Sequence, residues 1–353
     1  MAAWVTCLFW SASVNAGPVV FDFESADQAA AWAVTGANAT ATVAPVDGRG
    51  TLACAYAGQP GAAFSVAVTG LEVAGVQSLT IRARASAQSP FSLILAEEDG
   101  SLYHTFATLP ADDWCELAWP LTDFQLQDGS TDENDTLDAE QVRSLTLQEL
   151  ANMPGEWAEI FGSKLGEQVL SLDEVRFVGE ARPSRGRSDA TRVVVDDFTD
   201  PWFALLPLGG AQLSHVPGDA GRPAGLRVAF TFMPNGPRAW PGVVLPIGHV
   251  DLTEAQTLRL RVAAPGPLGL HVLLEEQDRS RYELRAAVPE ADDWQARDFP
   301  FAQFTLEEGS TDENGALDAS QLRVAIVVVD AWSALLDEEE NGQFSLGDVL
   351  FLK

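Results

Sequence analysis

Apolar and polar side chains alternate with a period of two along much of this chain. Leu79, Ile81 and Ala83 are interleaved with Thr80, Arg82 and Arg84, and Leu258, Leu260 and Val262 with Arg259 and Arg261. That period puts every second side chain on one face and predicts strands with a single buried side. Residues 324–329 form a near-continuous aliphatic run, the pattern of a central strand covered on both faces. Helical periodicity is scarce. Its best instances are the short turns Asp138–Gln141 and Asp318–Gln321, where the aspartate caps and the glutamine reaches back. Many short strands separated by turn residues predict an all-β chain of sandwich or jelly-roll type.

The pattern is written twice. Asp113-Trp114, the run Gly-Ser-Thr-Asp-Glu-Asn at 129–134 and Leu137-Asp138 return as Asp293-Trp294, 309–314 and Leu317-Asp318. Asp22-Phe23 answers Asp197-Phe198, and the ending Leu172–Phe177 answers Leu346–Phe351. Each copy is the length of a free-standing domain, which sets the first at 17–178 and the second at 193–353. Residues 179–192 carry four arginines and turn formers but almost no large apolar side chain, and read as a linker.

Charge narrows the partners. The 353 residues hold 21 Lys and Arg against 51 Asp and Glu, a net charge of −30. So acidic a surface repels nucleic acid and anionic membranes. Hydrophobic residues at 46% still supply ample core, so the charge does not make the chain a disordered tail. Nothing calls for an oligomer, and a monomer is expected.

Residues 2–14 are almost wholly apolar or small, and Val14-Asn15-Ala16 resembles the site where a secretory signal is cut. On that reading residues 1–16 are a signal peptide and the protein is secreted or periplasmic; an ordinary N-terminal strand is the alternative. The run is shorter than the ~20 residues of a membrane span. Export would remove Cys7 and permit a disulfide between Cys54 and Cys115, for which two buried free thiols are the alternative. Four histidines and no further cysteine give no zinc-binding spacing.

Asp293-Trp294-Gln295, Phe299-Pro300-Phe301-Ala302-Gln303-Phe304, Leu317-Asp318, the strand at 324–329 and Asn341–Leu346 form an ordered series, present also in the first copy. The series resembles the galactose-binding-like jelly rolls, and within them the complex I intermediate-associated domain and related carbohydrate-binding modules. The resemblance implies two tandem β-sandwiches and, as partner, an extracellular or cell-surface glycan bound without catalysis. A protein-interaction scaffold with no sugar affinity is the second reading. The resemblance also implies a structural calcium where first and last strands meet, at Asp22, Glu24 and Asp173 in one copy and Asp197 and Asp348 in the other. Oxygen-rich clusters of this kind suit calcium, while acids capping strand ends in solvent are the alternative.

Sugar recognition calls for exposed aromatic platforms and forked hydrogen-bonding groups. Trp114/Trp294 and Trp157/Trp332 recur between the copies and read as core. Trp119 and Trp240 are not duplicated and are the platform candidates. Arg82, Arg84 and His104 in the first copy, with Arg259, Arg261, His271 and Arg285 in the second, are the polar candidates. The same arginines would be equally served by pairing with Glu97, Glu98, Glu275 or Glu276. The loops at 129–134 and 309–314 have oxygen spacing faintly like a calcium loop, without its closing glutamate, and read as connecting turns. No nucleophile elbow, phosphate loop or dinucleotide fingerprint is present.

Overall fold

The computed structural model describes residues 19–46, 48–155, 160–162, 164–200, 204–218, 223–232, 240–312, 314–330 and 340–353. The signal segment, Trp157 and Trp332 lie outside the described residues.

Each copy is a sandwich of two antiparallel sheets. In the first copy the front sheet runs Thr40–Val46, Arg49–Gly58, Gly166–Val178, Ser78–Ala85, Cys115–Pro120, with Val19–Phe21 also paired to Gly166–Val178. Its back sheet runs Gln125–Leu126, Leu102–Leu109, Ser89–Glu97, Val142–Glu149, Ser65–Thr69, Trp32–Thr35. The second copy repeats this order strand for strand. Its front sheet is Gln212–Val216, Gly225–Phe232, Glu340–Leu352, Thr257–Ala264, Ala291–Pro300, and its back sheet ends on Thr305–Leu306 and Leu206–Leu208 around Arg281–Val288, Leu268–Glu276, Leu322–Val329 and Gly242–Pro246. Hairpins such as Ser89–Glu97 with Leu102–Leu109 stay within one sheet while other connections cross to the opposite one, the jelly-roll arrangement expected from the alternation.

The apolar half of each strand fills the space between sheets. Leu79, Ile81 and Ala83 are fully buried, as are Leu258, Leu260 and Val262. The aliphatic run 324–329 sits inside its sheet, between Leu268–Glu276 and Gly242–Pro246. Both turns form 3₁₀ segments; Asp318 accepts from the Ser320 N–H (2.9 Å), and Gln141 reaches back to Asp138 (2.9 Å). Cys54 and Cys115 are buried free thiols, pushed up to about 12 and about 11 by burial. They stand on strands three places apart in one sheet, roughly 14 Å, too far to bridge.

Three tryptophans sit differently from their sequence reading. Trp114 and Trp294 are half-exposed on the outer faces of the front sheets. Trp119, read as an exposed platform, is 1% exposed in the first core. It pairs with Leu79 as Phe299 pairs with Leu258, so the position is duplicated although the residue is not.

The segment between the copies is no free tether. Arg187–Ser188 pairs with Arg192–Asp196, and Arg185 reaches the buried Asp196 at 2.6 Å. The two sandwiches also pack on each other. Leu150, Phe161 and Leu206 form a buried cluster with Phe106, Leu208 and Val244 against it. Gln88 exchanges hydrogen bonds with the Leu213 backbone (2.6 and 2.9 Å), Thr108 donates to the Leu205 carbonyl (2.6 Å), and Arg323 grips Asp128 at 2.7 and 2.9 Å.

Candidate functional site

The sequence-derived candidates divide between opposite faces. Arg82 and Arg84 lie on the front face of the first copy, with both guanidinium groups over the Trp114 ring at 4.7 and 5.0 Å. Arg82 is also paired with Asp173. On the second front face Arg259 forms a two-pronged pair with Asp298 (2.6 and 2.7 Å), and Arg261 lies 3.4 Å from Asp348. Among the described residues Arg82, Arg259 and Arg261 are therefore paired with acids; the Arg259–Asp298 pair is exposed and of small energetic weight, while the other two are part-buried.

The acids named for calcium are engaged as well. Asp173 is buried at a β-bulge in Gly166–Val178, where Arg82 and Arg49 (3.5 Å) answer it. Asp197 pairs with Arg187 and Asp348 with Arg261. The Asp22 carboxylate turns onto the Glu24 N–H (3.2 Å), and Glu24 accepts from the Gly50 N–H (2.9 Å). Register also shows that Gly347, not Asp348, occupies the place of Asp173, and the Trp294 ring packs against it. In Asp173, Asp197 and Asp348 the counter-charge is a guanidinium, so these positions are ion pairs and turn caps.

The histidines part company too. His104 lies on the back sheet of the first copy, in a cavity between the sandwiches lined by Phe106, Trp119, Asp123, Arg185 and His249. Burial pushes its pKa below the usual histidine range, with Arg323 adding to the effect and Asp128 opposing it. His271 is 3% exposed on the outer side of the second back sheet. The two are not counterparts: the register pairs His104 with Glu283 and His271 with Ser92.

Around His271 the remaining candidates converge. Leu268–Glu276 sends Leu270, Val272 and Leu274 into the core and His271 outward. Arg285 lies across from it on Arg281–Val288, and Glu283 follows on the same face by the same period of two. His271 Nε2 lies 2.6 Å from a Glu283 carboxylate oxygen, to which Arg285 also donates at 3.3 Å. The Trp240 ring, 39% exposed, stands 5.6 Å from the imidazole at an angle of 52°. An open indole beside a carboxylate, an imidazole and a forked cation presents a flat apolar surface rimmed by acceptors and donors. Such a surface suits a ring with apolar C–H faces and equatorial hydroxyls. Glu283 was missed in the sequence; its shared parity with Arg285 was the available signal.

Burial and the Arg285 charge push the His271 pKa below 6.5, while Glu283 pulls it up. A depressed value means the unfolded chain takes up the proton first. The stability that rests on neutral His271 is full above about pH 6.5 and is lost as pH falls through its folded value. His271→Asn should accordingly lose less melting temperature than the wild type between pH 7.5 and 5.5, compared by thermal melts in matched buffers.

The equivalent positions of the first copy hold different chemistry. Ala63 stands for Trp240, Ser92 for His271, His104 for Glu283 and Phe106 for Arg285. That face is where the second sandwich packs, through Phe106, Thr108 and the cavity beside His104.

No family model matches the chain, and no curated protein does. Among solved structures it is similar to the family 11 carbohydrate-binding module of the cellulosomal cellulase Lic26A-Cel5E of Clostridium thermocellum, at 14% identity over 47% of this chain and 97% of that one, with a TM-score of 0.36. The tandem CBM22-1-CBM22-2 domain of Paenibacillus barcinonensis Xyn10C aligns over 95% of this chain and 96% of that one, at 13% identity and a TM-score of 0.31. Among the described residues no helix is long and apolar enough to cross a membrane.

Proposed function

We propose that this chain is an exported glycan-binding protein that takes a saccharide on the outer face of the second sandwich's back sheet, at Trp240, His271, Glu283 and Arg285. The observation that carries the reading is the exposed Trp240 ring set beside buried His271, half-buried Glu283 and exposed Arg285. A sugar ring stacks on the indole, Glu283 accepts from its hydroxyls, and Arg285 donates to neighbouring ones. The Glu283 contact to His271 fixes the carboxylate before the ligand arrives, which lowers the ordering cost of binding.

The test is affinity electrophoresis of the full chain through gels containing soluble β-glucans, xylans, galactans or agarose, followed by calorimetry on any glycan that retards it. Covering an aromatic platform contributes about 1.5–3 kcal/mol, so Trp240→Ala should weaken binding by about 10–100-fold with an unchanged melt. Arg82→Ala, on the opposite face of the other copy, should leave binding as it was. Passage through every gel without retardation overturns the proposal and leaves the scaffold reading, which cross-linking to partner proteins would then support.

A further inference from the structure

We infer that the first sandwich carries a binding site for a divalent cation of the calcium class, formed by Glu97, Asp99 and Asp132. The inference is independent of the sugar reading. Glu97 ends the strand Ser89–Glu97, Asp99 lies in the tight turn to Leu102–Leu109, and Asp132 comes from the loop that folds across that turn. One carboxylate oxygen from each lies within 4.8 Å of the other two. Glu97 is only 4% exposed. Its Oε1 accepts from the Asp138 N–H, and its Oε2 is buried with no hydrogen-bond partner among the described residues.

A buried carboxylate oxygen without a partner is costly, and two further acids beside it raise the cost. Other buried acids are answered: Asp173 and Asp196 meet guanidinium groups, and Glu149 accepts from Tyr56, Ser89 and Asn152. Here the arginine next in line, Arg143, pairs with Glu98 instead, and none of the three acids forms an ion pair among the described residues. The cluster is held in place from outside. Ser101 donates from its N–H and hydroxyl to Asp99 (2.8 and 2.7 Å), and the Tyr103 hydroxyl donates to Asp132 (2.6 Å). What remains at the centre is an all-oxygen set of high negative charge, with Asp99 on its exposed side. Calcium takes such sets in flexible six- to eightfold coordination, where magnesium demands a tight octahedron.

The second copy repeats the residues as Glu276, Asp278 and Asp312. There the Ser280 hydroxyl lies 2.6 Å from both Glu276 Oε2 and Asp278, so the oxygen left open in the first copy is occupied. The first copy therefore holds the tighter site.

The experiment uses the full chain stripped with EDTA, dialysed, and titrated with CaCl2 alone by calorimetry, with thermal melts in parallel. One tight calcium per chain and a higher melting temperature in CaCl2 than in EDTA are expected, with a smaller shift in MgCl2. Glu97→Gln keeps the acceptor for the Asp138 N–H while removing one charge, and should weaken the tight site by about tenfold or more. Asp99→Asn, at an exposed position, should act in the same direction, and Glu276→Gln should leave the tight site intact. Absence of binding heat and of a melting shift at millimolar CaCl2 overturns the inference. So does unchanged affinity in both Glu97→Gln and Asp99→Asn.

Discussion

Trp119→Ala will destabilise the first sandwich by about 3–5 kcal/mol, the cost of removing a buried indole and leaving its cavity. Trp119 is 1% exposed, on the strand Cys115–Pro120 beside Leu79, and borders the cavity between the sandwiches. The loss should appear as an earlier denaturant midpoint, together with a melting temperature lower by about 6–20 °C for a domain of this size. Trp119→Phe installs the side chain that the second copy uses at Phe299 and should cost much less. A change below about 1 kcal/mol in the alanine variant would mean that the indole is not part of the core, against the burial on which the expectation rests.

Arg185→Met will be comparably severe, for an electrostatic reason. Arg185 is mostly buried and lies 2.6 Å from Asp196, itself buried where the second sandwich begins. Burial pushes the Asp196 carboxyl up, and the Arg185 charge is the main opposing influence. Removing one partner of a buried pair leaves an uncompensated charge, at a cost of about 3–5 kcal/mol. The pH dependence gives a second readout. Without Arg185 the folded Asp196 takes a proton more readily than the unfolded chain, whose carboxyl titrates near 3.8. The deficit should then be largest at neutral pH and shrink as pH falls through the raised folded value. Adding Asp196→Asn should recover part of the loss at pH 7, measured by denaturant unfolding. A variant as stable as the wild type would show that segment 179–192 is the tether its composition suggests.

What was legible in the chain is what is written locally. The alternation of Leu79, Ile81 and Ala83, and its echo at Leu258, Leu260 and Val262, depends only on side chains two apart, so strands and sandwiches could be read directly. The duplication then doubled the signal. What could not be read depends on groups brought together by the fold. Phe106 and Leu206 have the same apolar character as core residues, and nothing local distinguishes an interface between copies from an interior. Trp119 and Phe299 differ in identity, which hid their shared position. The four arginines of 179–192 marked a solvated segment by composition, while Arg185 folds inward to a carboxylate eleven residues on. Trp240, His271 and Arg285 stand out in the sequence as polar and aromatic outliers, and the fold brings them together. Their separation from Arg82 and Arg259 needed the sheets, because parity along a strand gives a side but not which of two sheets it faces. The turn chemistry of Asp132 was visible, but its meeting with Glu97 and Asp99 was not, since the loop must first fold over the hairpin.

The packing of the second sandwich over Phe106, Thr108 and His104 has a kinetic meaning. A chain built from two copies of one module suggests two grips on a polymer, yet here one copy's face is taken by its twin. The molecule is then univalent towards the ligand proposed for Trp240. Release from a polysaccharide would proceed as a single step set by one site, without the rebinding that a bivalent pair gains from its high local concentration. Its residence time would not lengthen as ligand density on a surface rises.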